Sequence, residues 1–344
     1  MYGIKNKLLT DELINIIDHP VSSTYFYKSL TLINIKVNRK KMINKLIAKM
    51  LPYFPQKLVW IFSKRYIAGE SITDALSESR KLNIKGIKVT VDILGEYTKN
   101  LAEAEQFKIQ YIELIKRFTA ENIDGNFSVK PSVFGLLIDQ EACYQNLREI
   151  VDIADQCNSF IKVDMEDSEC TSIEIALFRR LKTEFPTRVG LVLQAYMRRT
   201  LDDARSLMDI HTPEAPLNFR LCKGIYIEAE SIAYKGHQEI RDHYMEDLRF
   251  MLENGMYVGI ATHDKYLIEK AYELIDELKL SKDKYEFQML YGVTPKLRQD
   301  IVDRGHKIRV YIPYGKQWFG YSTRRLKENP NMVWHILKAL IVRQ

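Results

Sequence analysis

The tightest constraint on the fold is a rhythm. Eight short apolar runs recur: GIKVTVDILGE (86–96), NFSVKPS (126–132), SFIKVDMED (159–167), VGLVLQAY (189–196), FRLCKGIY (219–226), YVGIATHD (257–264), YEFQMLYG (285–292) and KIRVYIPYG (307–315). Their starts lie 40, 33, 30, 30, 38, 28 and 22 residues apart, and most intervals hold a charged segment of helical period. Strands alternating with helices at this spacing predict an α/β chain closed into a distorted (β/α)8 barrel of the TIM type. Chemistry in such barrels sits at the C-terminal strand ends, here Glu96, Lys130, Asp164, Gln194, Lys223, His263, Leu290 and Tyr311.

A barrel of this kind takes roughly 250 residues, and 86–344 supplies 259. The expected organisation is an N-terminal helical arm over 1–70 and a barrel domain over 71–344. Charge follows that division. Residues 1–70 hold twelve Lys/Arg against four Asp/Glu, and the rest holds 39 against 41, so the formal excess of +6 belongs to the arm. Within it, KKMINKLIAKMLPYFPQKLVWIFSKRYIA (40–68) is basic and apolar together. That suits either contact with an anionic membrane surface or a helix packed on the barrel with its lysines in water. No nucleic-acid-reading module is visible. No run approaches the ~18 apolar residues of a membrane span, and MYGIKNKLLTDELINII has no leader pattern. Cys143, Cys157, Cys170 and Cys222 show no CxxC or His pairing. They read as reduced thiols of a cytoplasmic protein, and no metal site is expected.

Gly69 is expected to end the preceding helix, and Ser71 or Thr73 to cap the next, with Gly86 opening the first strand. Further helices are expected over 99–120, 139–156, 171–184, 200–209, 229–254, 265–278 and 295–304, with Thr171 and Glu174 as a capping box. WFGYSTRRLKEN (318–329) reads as an extra helix over the strand ends on the active face.

Several groups at these ends can carry chemistry. Arg324 and Arg325 point about 100° apart on a helix, and two guanidiniums suit one carboxylate or phosphate; a solvated basic turn is the plainer reading of such a pair, but its place one short turn after the eighth strand, over the active face, favours a substrate-anion clamp. Lys130 and Asp164, on adjacent strands, are placed to form an ion pair that orients the lysine, or a merely structural bridge. VDMED offers Asp164 and Glu166 on one face, with Met165 and Asp167 near the turn. Arg220 and Lys223 flank a strand end, with Gly224 where a backbone must come close to something. Thr262 and His263 end the next strand, and the two cationic ends beside them suit a phosphorylated cofactor. No GxGxxG or Walker loop is present, so a Rossmann-type site is not supported. The carboxylates and histidines also lack metal-ligand spacing.

In this order, the runs resemble the proline dehydrogenase family over about 64–330. The resemblance is carried by RYIAGE (65–70), DILGE (92–96), SVK (128–130), VDMED (163–167), LQAYMRRT (193–200), RLCKGIY (220–226), ATHD (261–264), EFQMLYG (286–292), VYIPYG (310–315) and YSTRRLKEN (321–329). It implies the single-activity, FAD-dependent form, oxidising L-proline to Δ1-pyrroline-5-carboxylate by hydride transfer from C5 to flavin N5. Electrons then pass to a membrane quinone, with peripheral contact at the inner membrane face. It implies that Arg324, Arg325 and Lys130 hold the substrate carboxylate and that Tyr311 and Leu290 line its ring. Asp164 positions the site, and Arg220 lies beside flavin N5. Met165, Gln194, Lys223, Gly224, Ile225 and Tyr226 border the flavin, Thr262 and His263 hold its pyrophosphate and adenine, and Glu96 is a gate carboxylate. The chain departs from the family pattern at Pro131, which removes a backbone donor, and at Cys222 and Ile225. The competing readings are a Schiff-base lysine aldolase on a barrel, through Lys130 or Lys223, and a non-catalytic barrel that binds membrane or a partner through its arm.

Overall fold

The computed structural model describes residues 59–60, 63–95 and 97–328, with side chains through 323, and Val59–Ser322 forms one compact unit. The apolar runs become eight parallel strands: β1 (Lys88–Ile93), β2 (Gly125–Val129), β3 (Ile161–Val163), β4 (Val189–Gln194), β5 (Asn218–Cys222), β6 (Tyr257–Ala261), β7 (Tyr285–Leu290) and β8 (Ile308–Tyr314). They pair in chain order, and β8 returns to β1 to close the barrel. Most of the arm expected over 1–70 lies outside the described residues. Residues 63–70 run against the barrel: Ala68 N donates to Pro313 O at 3.0 Å, and Gly315 N donates to Gly69 O at 3.0 Å.

The helices are α1 (Ile72–Asn83), α2 (Leu101–Ala120), α3 (Gln140–Gln156), α4 (Ser168–Glu184), α5 (Thr200–Ser206), α6 (His237–Glu253), α7 (Lys265–Glu277), α8 (Pro295–Asp303) and α9 (Trp318–Glu328). Short polar side chains start several of them. Ser71 forms a capping box with Asp74 at α1, Asn100 accepts from Glu103 N at α2, and Asp139 accepts from Glu141 N and Ala142 N at α3. Trp318, the first residue of α9, donates from Nε1 to Glu70 Oε1 at 2.7 Å and packs on Trp60.

Four local expectations need correction. Helix α4 starts three residues before Thr171, because Asp167 takes the N-cap position. Thr171 then bonds back to Asp167 O, and the Glu174 carboxylate reaches Glu166 N instead of forming a box. The segment expected as a helix over 229–254 becomes helical only at His237, since Tyr234 N bonds to Tyr196 O and Ala233 bridges Met197. The helix over 200–209 breaks after Ser206 into a 3-10 turn, Met208–Ile210. Tyr311 is not a strand terminus; it is the fourth of seven residues in β8.

Alternation sends Val89, Val91 and Ile93 of β1 outward into the apolar core under the helices, and Thr90 and Asp92 inward. The inside of the barrel is accordingly rich in buried polar groups: Asp92, Ser128, Lys162, Arg220, Glu286, Gln288 and Arg309. Barrel interiors are more commonly filled by branched apolar residues, so this lining marks a chemical interior.

Asp247 is the odd residue on the buried face of α6. It is 3% exposed, and its Oδ2 has no hydrogen-bond partner among the described residues. Burial, and then the neighbouring Glu246, push its pKa up to about 8. The folded chain therefore keeps a proton that the unfolded chain gives up above about pH 4. The stability this group contributes is present at low pH and is lost as pH rises from about 4 towards 8. Asp247→Asn is expected to raise Tm at pH 8 by several degrees more than at pH 5, measured by calorimetry on the folded chain. Equal shifts at both values would reject the buried-acid account.

Candidate active site

Lys130, one residue past β2, donates from Nζ to Asp92 Oδ1 at 2.6 Å and to the Tyr311 hydroxyl at 3.4 Å. Asp92 is fully enclosed on β1. Beside it, the Tyr111 hydroxyl of α2 accepts from Ile93 N at 3.1 Å and donates to Ser128 O at 2.6 Å, tying the ends of β1 and β2 together. Asp164, one residue past β3, accepts from Ser128 Oγ at 2.5 Å, Arg220 Nη1 at 2.7 Å and Tyr311 Oη at 3.1 Å. Arg220, on β5, also donates from Nε to Gln288 Oε1 at 2.7 Å and lies 5.1 Å from the Tyr311 ring centre. Its Nη2 is buried and has no partner among the described residues.

Burial alone would lower the Lys130 pKa, but the carboxylates of Asp92 and Asp164 overrule it and hold the ammonium above its usual value. Burial, followed by Asp164 and Asp92, pushes the Tyr311 hydroxyl well above its usual range, so it acts as a donor. Burial pushes the Cys222 thiol up to about 11, so this cysteine stays protonated.

The structure thus brings Lys130, Asp164, Arg220 and Tyr311 into one cluster. The expected Lys130–Asp164 ion pair is present at 3.9 Å, and Asp92 adds a closer partner at 2.6 Å. Asp92 and Gln288 were missed because an inward carboxylate or amide in the middle of an apolar run resembles any other alternation. The signal was that Asp92 is the last-but-one residue of β1, on the strand that pairs with β2 just before Lys130. Pro131 costs no donor, since it is the first residue of a 3-10 turn (Pro131–Phe134), where the N–H has no partner in any case. That turn presents Ser132, whose N and Oγ both donate to buried Glu166. Glu96 and the side chains of Arg324 and Arg325 lie outside the described residues.

A second group borders this cluster along β4, β5 and β6. Lys223 and Arg241 both pair with Asp264, at 3.1 and 2.8 Å, and Arg241 and then Lys223 hold that carboxyl well below its usual range. Two cations on one carboxylate leave an excess positive charge suited to a phosphate-bearing group. Thr262 Oγ1 accepts from Asp264 N, and His263 Nε2 accepts from Leu290 N at 2.9 Å, placing its proton on Nδ1. Gln194 donates to Glu166 O, and Met165 is buried in the apolar core. Gly224 has φ +104, and a Cβ there would fall 2.0 Å from Tyr196 Cδ1. The close approach expected at Gly224 is therefore to the Tyr196 ring. Beyond it, Ile225 is exposed and Tyr226 half-buried.

The family model described as proline dehydrogenase matches residues 75–334. Proline dehydrogenase 1 of Bacillus subtilis is 31% identical over 298 residues, 87% of this chain and 96% of the relative. The proline dehydrogenase of Deinococcus radiodurans is 31% identical over 307 residues, 88% of this chain and 97% of the relative. A solved structure of proline utilization A (PutA) from Bdellovibrio bacteriovorus, inactivated by N-propargylglycine, aligns with a TM-score of 0.77 at 25% identity. The alignment covers 93% of this chain, which spans only 41% of that one. The barrel, its polar mouth and these matches together place the chain in the proline dehydrogenase family.

Proposed function

We propose that this chain oxidises L-proline to Δ1-pyrroline-5-carboxylate with FAD as cofactor and a quinone as final acceptor. The observation that carries the reading is the mouth cluster of a family member: a lysine kept cationic by a buried aspartate, next to an arginine with an unpartnered buried Nη2. That orphaned donor and the cationic Lys223–Arg241–Asp264 group fit a flavin with its phosphates. Gln194, Arg220, Lys223, Gly224, Ile225, Tyr226, Thr262 and His263 are the residues we assign to it, with Met165 behind them.

Lys130, joined by Arg324 and Arg325, receives the substrate carboxylate. Leu290 and Tyr311 flank the ring, and Asp164 holds Arg220 and Tyr311 in place. The positive charge around the bound amine favours loss of its proton to solvent as the C5–H bond breaks and the C5=N bond forms. FAD, held by Gln194, Arg220, Lys223, Thr262 and His263, would supply the two-electron acceptor for the C5 hydride, with the quinone as final acceptor. Glu96 is assigned as a gate. The basic stretch within 40–68 of the N-terminal arm is assigned to an anionic membrane surface on the cytoplasmic side. Among the described residues, no helix is long and apolar enough to cross a membrane.

The aldolase alternative needs a lysine at the mouth with a lowered pKa, and Lys130 is shifted the other way. Lys162 is shifted down, by burial and then by Arg220, but it is 3% exposed and bonded to Asn218, deep in the barrel.

The visible spectrum of the purified protein, before and after anaerobic L-proline, tests the reading. A flavin spectrum bleached by L-proline but not by D-proline is expected; a colourless protein that takes up no FAD would overturn it. Asp92→Asn should leave flavin bound while raising the apparent KM for proline about 10-fold, as Lys130 loses its partner and its fixed position. Unchanged proline kinetics would remove Lys130 from the carboxylate site.

A further inference from the structure

One amide in the mouth cluster has no part in the chemistry above. Gln288 lies between a cation and an anion. Its Oε1 accepts from Arg220 Nε at 2.7 Å, and its Nε2 donates to Glu286 Oε1 at 2.7 Å. Glu286 Oε1 also accepts from Arg309 Nε at 2.6 Å, and Arg309 Nη1 is anchored on Val89 O at 2.8 Å. All four side chains are buried: Arg220 is 6% exposed, Gln288 7%, Glu286 2% and Arg309 6%.

An amide has nearly the same shape in either orientation, so its neighbours must choose between them. Burial alone would neutralise Glu286, but Arg309 overrides burial and holds its pKa below the usual value. Glu286 is therefore a carboxylate that only accepts. It draws the NH2 of Gln288 and leaves the oxygen for Arg220 Nε. The flipped amide would set NH2 against a guanidinium and oxygen against a carboxylate. The space comes from Gly259 on β6, whose register partners are Arg220 and Glu286. A Cβ at Gly259 would stand 2.3 Å from Gln288 Nε2.

We propose that Gln288 is a positioning residue for Arg220. The column Arg309–Glu286–Gln288 fixes the rotation of the guanidinium, so that Nη1 stays on Asp164 and Nη2 remains for the bound ligand. Position 259 is glycine because it must admit this amide. The proposal rests on the reading that Arg220 lies beside the flavin.

The test uses the FAD-loaded full chain as wild type, Gln288→Met, Gly259→Ala, Arg220→Met and the double variant Arg220→Met/Gln288→Met. FAD per chain, the potential of the bound flavin, and the limiting rate and apparent Kd of anaerobic reduction by L-proline are measured. Gln288→Met and Gly259→Ala should keep one FAD per chain and lower the flavin potential. They should slow limiting reduction at least ~10-fold with a smaller change in apparent Kd. In the Arg220→Met background, Gln288→Met should add nothing further, because both changes remove the same interaction. Additive losses, or wild-type potential and rate in Gln288→Met, would overturn the proposal. Should Gln288→Met fail to fold, Gly259→Ala poses the same question with every polar group retained. A wild-type flavin that L-proline does not reduce would overturn the functional reading and this proposal together. A reducible wild type with an unaffected Gln288→Met would overturn this proposal alone.

Discussion

The inside of the barrel is held by a balance of buried charge. Lys130, Arg220 and Arg309 supply three cations, and Asp92, Asp164 and Glu286 supply three carboxylates, each with a close partner of opposite sign, while Lys162, bonded to Asn218, has its pKa lowered well below its usual value by burial and then Arg220. Desolvating any of them singly would cost several kcal/mol. The balance also fixes register: a one-residue slip in β1, β5, β7 or β8 would carry Asp92, Arg220, Glu286 or Arg309 away from its partner and into the apolar layer under the helices. The apolar outer layer drives closure through burial, and the charged inner layer permits only one version of that closure.

Much of the fold was legible in the sequence because it rests on local chemistry. Eight apolar runs at helical intervals become eight strands, and Ser71 and Asp139 mark helix starts through short-range hydrogen bonds. What was illegible depends on contacts distant in the chain. The start of α6 is set by the backbone bonding of Tyr234 to Tyr196, and the start of α4 by Asp167. Both segments have helical composition, so periodicity extended one helix too early and began the other too late.

The same division runs through the site. Lys130 and Asp164 stand at strand ends, where topology alone directs attention, and Arg220 is the third of five residues in β5. Choosing the partner of Lys130 required barrel geometry. Asp164 is nearer in sequence, yet Asp92 is its close partner because β1 and β2 are neighbours and Tyr111 locks their ends at one height. Gln288 was equally invisible: an amide inside EFQMLYG carries no local mark of its orientation, which Glu286 and Arg309 impose. Gly259 shows the converse. Its meaning lies wholly in the side chain it admits from the adjacent strand.

The polarity of the cluster follows from this arrangement. Asp164 spends its oxygens on Ser128, Arg220 and Tyr311, Asp92 is bonded to Lys130, and the oxygen of Gln288 is taken by Arg220. These acceptors at the mouth are thus occupied by the protein itself, while Glu286 Oε2, deeper on β7, has no partner among the described residues. The donors at the mouth are not all occupied: among the described residues Arg220 Nη2 has no partner, and Lys130, with three N–H groups, has one short bond, to Asp92. A site whose acceptors are satisfied and whose buried donors are left over selects ligands rich in oxygen and negative charge, and it disfavours a bound cation. Such a site is suited to a carboxylate, or to a group that gains negative charge as it is reduced, and it is built from the residues that make the interior electrically neutral.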